Sequence, residues 1–322
     1  MGNLRDARAD FDAALKLNPS DATRAQVKAF LAQLERREAA LGAQVRAYLA
    51  ATLGHDSNVN FAASERDVFV PLLQDSIKLS SDSVRQSDAF LGVSGGISLD
   101  YSISPGFAWF GNLDVATKRN KDVHQFHLSS MDARFGPAWK GERFQLRWSF
   151  NVGAMQLGDD DYRKQHGTGL EWRFNLSGTK QLVSALQHSR NRYRSADTKI
   201  FDTNQSVGLF GLSCLIDEEN QVVVSPYLLG GYEDDTGGNL QGDKRIVGGG
   251  FSGRFALTAS RSLTWNVGAQ RGRYSRSDPF FLKRREDKRV DVSLGLNQQL
   301  GKSKKWLLRP QVNWSQQQSN LA

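Results

Sequence analysis

The sequence predicts a mainly β protein: an antiparallel transmembrane β-barrel with about thirteen strands present, preceded by a short α-helical segment. Three observations predict it. From residue 43 onward, apolar and polar residues alternate with period two in runs of roughly ten residues, as expected of strands with one face in lipid and the other in water. The connections between these runs alternate between short and long. Thirty glycines against seven prolines, with eighteen phenylalanines and seven tryptophans, supply tight-turn residues and interfacial aromatics. The absence of an apolar run near ~18 residues excludes only helical spans.

The elements follow in order. Ala7, Phe11, Ala14, Leu15 and Pro19 match A-x3-F-x2-A-L-x3-P, the second-helix pattern of a tetratricopeptide repeat, in one partial copy. A second helix is expected from a cap at Ser20 or Asp21 to about Leu41, burying Val27, Phe30, Leu31 and Leu34. Residues 1–41 therefore read as a helical domain, and residues 42–322 as the barrel. The handover lies in the stretch LGAQVRAYLAATLGHDSNVN at residues 41–60, where Val45, Ala47, Leu49, Ala51 and Leu53 alternate with Gln44, Arg46, Tyr48, Ala50 and Thr52. Clear alternation recurs over residues 91–101, 107–115, 144–154, 168–176, 247–257, 263–269, 290–296 and 306–314. Residues 124–136, 180–193, 202–216 and 221–233 alternate poorly and are read as strands from spacing and composition.

That count is thirteen, whereas single-chain bacterial barrels have an even number, so a fourteenth, last strand is expected to be missing. The chain also opens without a signal peptide, so it reads as a piece of a longer exported protein. Short connections near residues 102–105, 140–143, 177–180, 217–220, 258–262 and 301–305 are assigned to the periplasm and long ones to the exterior. The helical segment, preceding the first strand, falls on the periplasmic side. Trp109, Trp172, Trp265 and Trp306 near short turns, and Tyr162, Tyr193, Tyr232 and Tyr274 near long loops, are expected to form two interfacial girdles.

Composition narrows the chemistry. The net charge of +8 is carried by loop clusters such as Lys118, Arg119 and Lys121, or Arg190, Arg192 and Arg194, without a nucleic-acid motif. On a barrel rim they read either as solvated loops or as sites facing outer-leaflet lipid phosphate, and not as a nucleic-acid surface. The lone Cys214 excludes a disulfide framework. Gly92-Val93-Ser94-Gly95-Gly96 matches G-x-S-x-G, but alternation continues through it with no helix to follow, so a nucleophile elbow is not expected. His124 and His127 lack further ligands for a metal. The acidic runs Asp159-Asp160-Asp161 and Glu233-Asp234-Asp235 lack calcium-loop spacing. No catalytic constellation, cofactor or metal site emerges. What remains is a mixed polar lumen, expected to carry Arg147, Asn151, Glu171, Arg173, Arg254, Asn266, Gln270, Asn297, Arg309, Gln311 and Asn313.

After the first strand, Gly54-His55-Asp56-Ser57-Asn58-Val59-Asn60 resembles the Gly-aromatic-Asp-(Ser/Asn)-Asn-Val-Asn run of the surface lipoprotein assembly modifier family, with His55 in place of the aromatic. The resemblance implies the C-terminal outer-membrane barrel of a Gram-negative protein with the end of a periplasmic repeat region. It implies translocation or display of surface lipoproteins, or related secreted proteins, with periplasmic chaperones and the barrel-assembly machinery as partners and no cofactor. A polysaccharide-export porin or a passive diffusion porin remains open as the alternative. If lipidated cargo leaves sideways, the small residues Ala43, Ala47 and Ala51 mark the expected lateral seam.

Overall fold

The computed structural model describes residues 26–31, 42–301 and 305–321. Residues 26–31 are helical, with Val27 buried and Phe30 about half exposed. The repeat pattern at residues 7–19 and the rest of the expected helical domain lie outside the described residues.

The main sheet is one antiparallel meander. Its strands are β1 (Gly42–Asp56), β4 (Asp88–Ser104), β5 (Phe107–Asn120), β6 (Leu128–Lys140), β7 (Phe144–Leu157) and β8 (Asp160–Asn175). They continue with β9 (Lys180–Tyr193), β10 (Thr203–Asp217), β11 (Val222–Asp235), β12 (Lys244–Thr258), β13 (Arg261–Ser277) and β14 (Arg284–Leu300). The last strand position is split into β15 (Trp306–Leu308) and β16 (Gln311–Ser319), both paired with β14. Pro310 explains the split, because it has no N–H to give the ladder, although its carbonyl still accepts from Leu296 N at 3.0 Å. The thirteen strand positions match the sequence count. The poorly alternating segments become β6, β9, β10 and β11.

The two faces are inverted relative to a water-soluble sheet. Ile97, Phe150, Leu186, Leu228 and Val247 are 55, 41, 61, 69 and 60% exposed, while Ser149 and Ser189 on the opposite face are 0 and 1% exposed. Apolar residues meet the surroundings and polar residues pack inside, the distribution that a lipid solvent selects.

Curvature follows from side chains that skip strands. Tyr48 of β1 reaches Asp114 of β5, Arg134 of β6 reaches Glu171 of β8, and Arg147 of β7 reaches Asp100 of β4. Three strand spacings on a flat sheet are about 14 Å, beyond the combined reach of Arg and Asp, so the polar face is the concave one. The sheet is also staggered. Opposed residues run Ala47–Ile97–Leu113–Ala133–Val152–His166–Arg190–Asn204, so one outward row climbs from mid-strand in β1 to the loop rim by β9.

Among the described residues β1 pairs only with β4 and β16 only with β14, so no ladder joins the two edges. The loop that follows β1 does meet the connection between β13 and β14. The 57–87 connection contains a hairpin, β2 (Asp67–Val70) and β3 (Asp75–Lys78), with Val59, Val68 and Val70 4, 6 and 6% exposed. From its tip Leu72 N donates to Phe280 O, in the connection after β13, at 3.1 Å.

Candidate functional site

The interior of the wall is bridged by charge. Asp100 accepts from Arg46 at 2.5 Å and from Arg147 at 2.7 Å, drawing β1, β4 and β7 together. The Arg147 guanidinium lies 4.5 Å from the centroid of the Phe110 ring and that of Arg134 lies 5.9 Å from it, while Arg134 also pairs with Glu171. Phe110, 5% exposed, is an aromatic on the polar face because it serves these two cations. The Nε atoms of Arg134 and Arg147 are buried and make no hydrogen bond among the described residues.

At the long-loop end lies a cavity of about 500 Å³ lined by Tyr162, Arg163, Tyr193, Phe201, Gln205, Glu233, Tyr274 and Arg285, among others. Tyr162 and Tyr193 meet edge to face at 5.2 Å, and Tyr193 meets Phe201 at 5.9 Å. Arg285 stands 5.2 Å from the Tyr274 ring, and Gln205 Nε2 donates to Glu233 Oε2 at 3.1 Å. This corrects the expected tyrosine girdle: Tyr162, Tyr193 and Tyr274 line the mouth, and of the four only Tyr232 is exposed. A bulge accounts for Tyr162. Arg163 pairs with Met155 and Asp161 with Gln156, leaving Tyr162 as the extra residue that re-aims inward. Of the tryptophans, Trp109, Trp172 and Trp306 are exposed near short turns, and Trp265 is half-buried.

The run at residues 54–60 builds the largest loop. A Cβ at Gly54 would lie 2.3 Å from the Phe90 ring, so the ring occupies the space any side chain would need. His55 stands opposite Ala89, and Ser57 makes the bend. Asp56 pairs with Lys118 at 2.7 Å and accepts from Asn58 N at 3.0 Å. Asn58 both donates to Ala62 O and accepts from Ala62 N, at 3.0 Å each. Asn60 does the same one layer on, donating to Val84 O at 2.9 Å and accepting from Gln86 N at 3.0 Å, around the buried Val59. The side chains of Asp56, Asn58 and Asn60 thus stand in for a backbone ladder where the chain leaves the sheet.

The lumen residues expected from alternation share the concave face but do not converge. Arg147 and Glu171 belong to the charge bridges just described, with Asn151 and Arg173 on the same face of β7 and β8. Arg254, Asn266 and Gln270 lie on the polar face of β12 and β13. Arg309 donates to Asn297 at 2.7 Å and, within the last strand, Gln311 donates to Asn313 at 2.6 Å. Ala43, Ala47 and Ala51 lie opposite Tyr101, Ile97 and Val93, on the outer face of β1. Arg46, Tyr48, Asp100, Phe110, Asp114 and Arg134 were not singled out. Parity alone would have put the charged ones inside. Gly92–Gly96 is continuous strand, and His124 Nε2 lies 2.9 Å from Lys121 O. No cluster able to hold a metal ion occurs among the described residues.

A wall of this kind, apolar outside and charge-bridged inside, is a curved antiparallel sheet with a polar concave face and the outward facing that a lipid surrounding selects. No family model matches the chain, and no curated protein matches it. Similar solved structures include OccAB3 of Acinetobacter baumannii, 14% identical, covering 87% of this chain and 83% of that one, with a TM-score of 0.38. A FadL homologue of Pseudomonas aeruginosa is 7% identical at a TM-score of 0.39, covering 86% and 88%. OpdK of Pseudomonas aeruginosa, determined with vanillate, is 14% identical at 0.37, covering 86% and 84%. At these scores the fold rests on the chain's own strand order and facing.

Proposed function

We propose that this chain is an outer-membrane barrel that passes small hydrophilic solutes. The observation that carries the reading is the pairing of a polar concave wall with a mouth cavity of about 500 Å³, the size of a small-molecule site. Charge bridges that skip strands narrow the interior further, and a folded protein is far larger than either feature. The purified chain in a planar bilayer should conduct small ions in discrete steps. A chain that inserts as a folded barrel and never conducts overturns this reading.

A second reading is export or display of surface lipoproteins, with periplasmic chaperones and the barrel-assembly machinery as partners. It is favoured by the run at residues 54–60, whose Asp56, Asn58 and Asn60 side chains each support the loop that the resembling family shares. Co-expression with a surface lipoprotein in a Gram-negative host tests it. Display that depends on this chain supports export, and display unchanged by its removal excludes it.

A further inference from the structure

On β8, β9 and β10 the outward face departs from the apolar rule. Lys164 lies opposite Arg192, His166 opposite Arg190, and Arg190 opposite Asn204, all next to the long loops. Lys164, His166 and Arg190 are exposed, and among the described residues none of their side chains has a hydrogen-bond or ion-pair partner. Arg192 is committed to Asn204 Oδ1 at 2.9 Å and Thr203 O at 3.0 Å. Asp234, opposite Asn204, is the acid that extends this row.

One step toward the membrane centre comes a row of Thr168, His188 and Ser206. Trp148 Nε1 donates to Thr168 Oγ1 at 2.8 Å, and His188 Nδ1 lies 2.9 Å from Ser206 Oγ. The next row, Leu170, Leu186 and Gly208, borders with Trp148 a recess of about 550 Å³. Gly208 keeps it open: a Cβ there would lie 3.2 Å from Leu186 Cδ2. From Arg190 to Leu186 the strand rises about 14 Å. Cations at the rim, polar groups below them and an alkyl-sized recess below those follow the polarity of one phosphorylated lipid from head to tail.

We propose that this column binds the diphosphorylated glucosamine lipid, lipid A, of the outer leaflet. Its phosphates sit on Arg190 and Lys164, its sugar amide and hydroxyls meet His188 and Ser206, and one acyl chain lies in the recess between Trp148 and Leu186. The site rests on the outer-membrane reading with the long loops outside, because that leaflet is where lipid A resides. Lys164 and Arg190 lie diagonally on neighbouring strands, about 7–8 Å apart at Cα, which gives two anchoring points where a glycerophospholipid has one phosphate.

The test uses the full chain in phosphatidylcholine nanodiscs, with native mass spectrometry reading retained lipid. Diphosphoryl lipid A, its dephosphorylated form and phosphatidylglycerol are the probes. The parent should retain diphosphoryl lipid A in preference to both others. Arg190→Gln with Lys164→Gln should weaken retention about tenfold or more, and Gly208→Leu should weaken it by filling the recess. Phosphatidylglycerol bound as well as lipid A, or charge variants that retain lipid A like the parent, overturn the site. The two Gln changes lie on the exposed surface, so they test the site even if Gly208→Leu does not fold. Heat-dependent gel migration and bilayer conductance are recorded on the same samples. A parent that migrates as a folded barrel and conducts but shows no lipid A preference loses this site alone, whereas failure of both controls counts against the barrel itself.

Discussion

Asp100 holds two guanidiniums, from strands on either side of its own, and so sets the local charge of the lumen. Asp100→Asn should leave Arg46 and Arg147 uncompensated and move the reversal potential in a salt gradient toward anion selectivity. Losing the half-buried partner of Arg147 should also cost about 1 kcal/mol in denaturant unfolding from detergent. Facing gives a second residue-scale prediction. Phe150→Arg or Leu294→Arg, on exposed apolar positions, should destabilise by about 2–4 kcal/mol near the bilayer centre, whereas Asn151→Arg or Ser293→Arg should be tolerated. Equal penalties on the two faces would contradict the assigned facing. The facing of Phe150 and Asn151 was legible because period-two alternation is a local signal. The Arg147–Asp100 and Arg134–Glu171 pairs were not, because they join residues 47 and 37 positions apart across intervening strands. Tyr162 misled for a similar reason, since a bulge reverses facing without altering composition.

At the scale of the element, the loops are held by carboxylates and amides. Asp278, outside the strands, is pushed upward by burial, but hydrogen bonds from Gln241 and from the Phe280 and Phe281 amides, with Arg285 nearby, bring its carboxyl below the usual range. A folded value below the unfolded one means the carboxylate stabilises the loop fully above the ordinary carboxylate range and loses that contribution as pH falls below it through the lowered folded value. The loop should therefore stay closed at neutral and mildly acid pH and release the Phe280 and Phe281 amides only in stronger acid, as amide NMR shifts would record. Asn58→Ala removes both of its bonds to Ala62 and should increase the rate of tryptic cleavage at Arg66 and Arg85 several-fold. Release rates unchanged from the parent would mean Asn58 does not order that loop. The β2–β3 hairpin escaped the sequence reading because four-residue strands are too short for alternation to register. The interruption at Pro310 was readable in principle, since proline within a strand demands an edge or a break.

For the molecule as a whole, the strand order is the sequence order, which is why counting runs was enough to place each strand. Closure was not readable in the same way, because it depends on which edges meet and no local pattern encodes that. Sidedness is testable directly. Trypsin added to intact cells should cut at Lys283, in the loop after β13, and spare Arg143, in the short turn before β7. The reverse result would mean that the chain sits upside down in its membrane.

The loop from β1 touches the connection after β13 at one rim, while among the described residues no ladder joins the edges along their length. A joint at one end of two otherwise unattached rails makes them behave as a pair of dividers. Were the edges to part, the Leu72–Phe280 contact would serve as the pivot, and the gap would widen with distance from it. The greatest opening would fall at the short-turn rim, and strengthening that contact would set the angle without touching the strands.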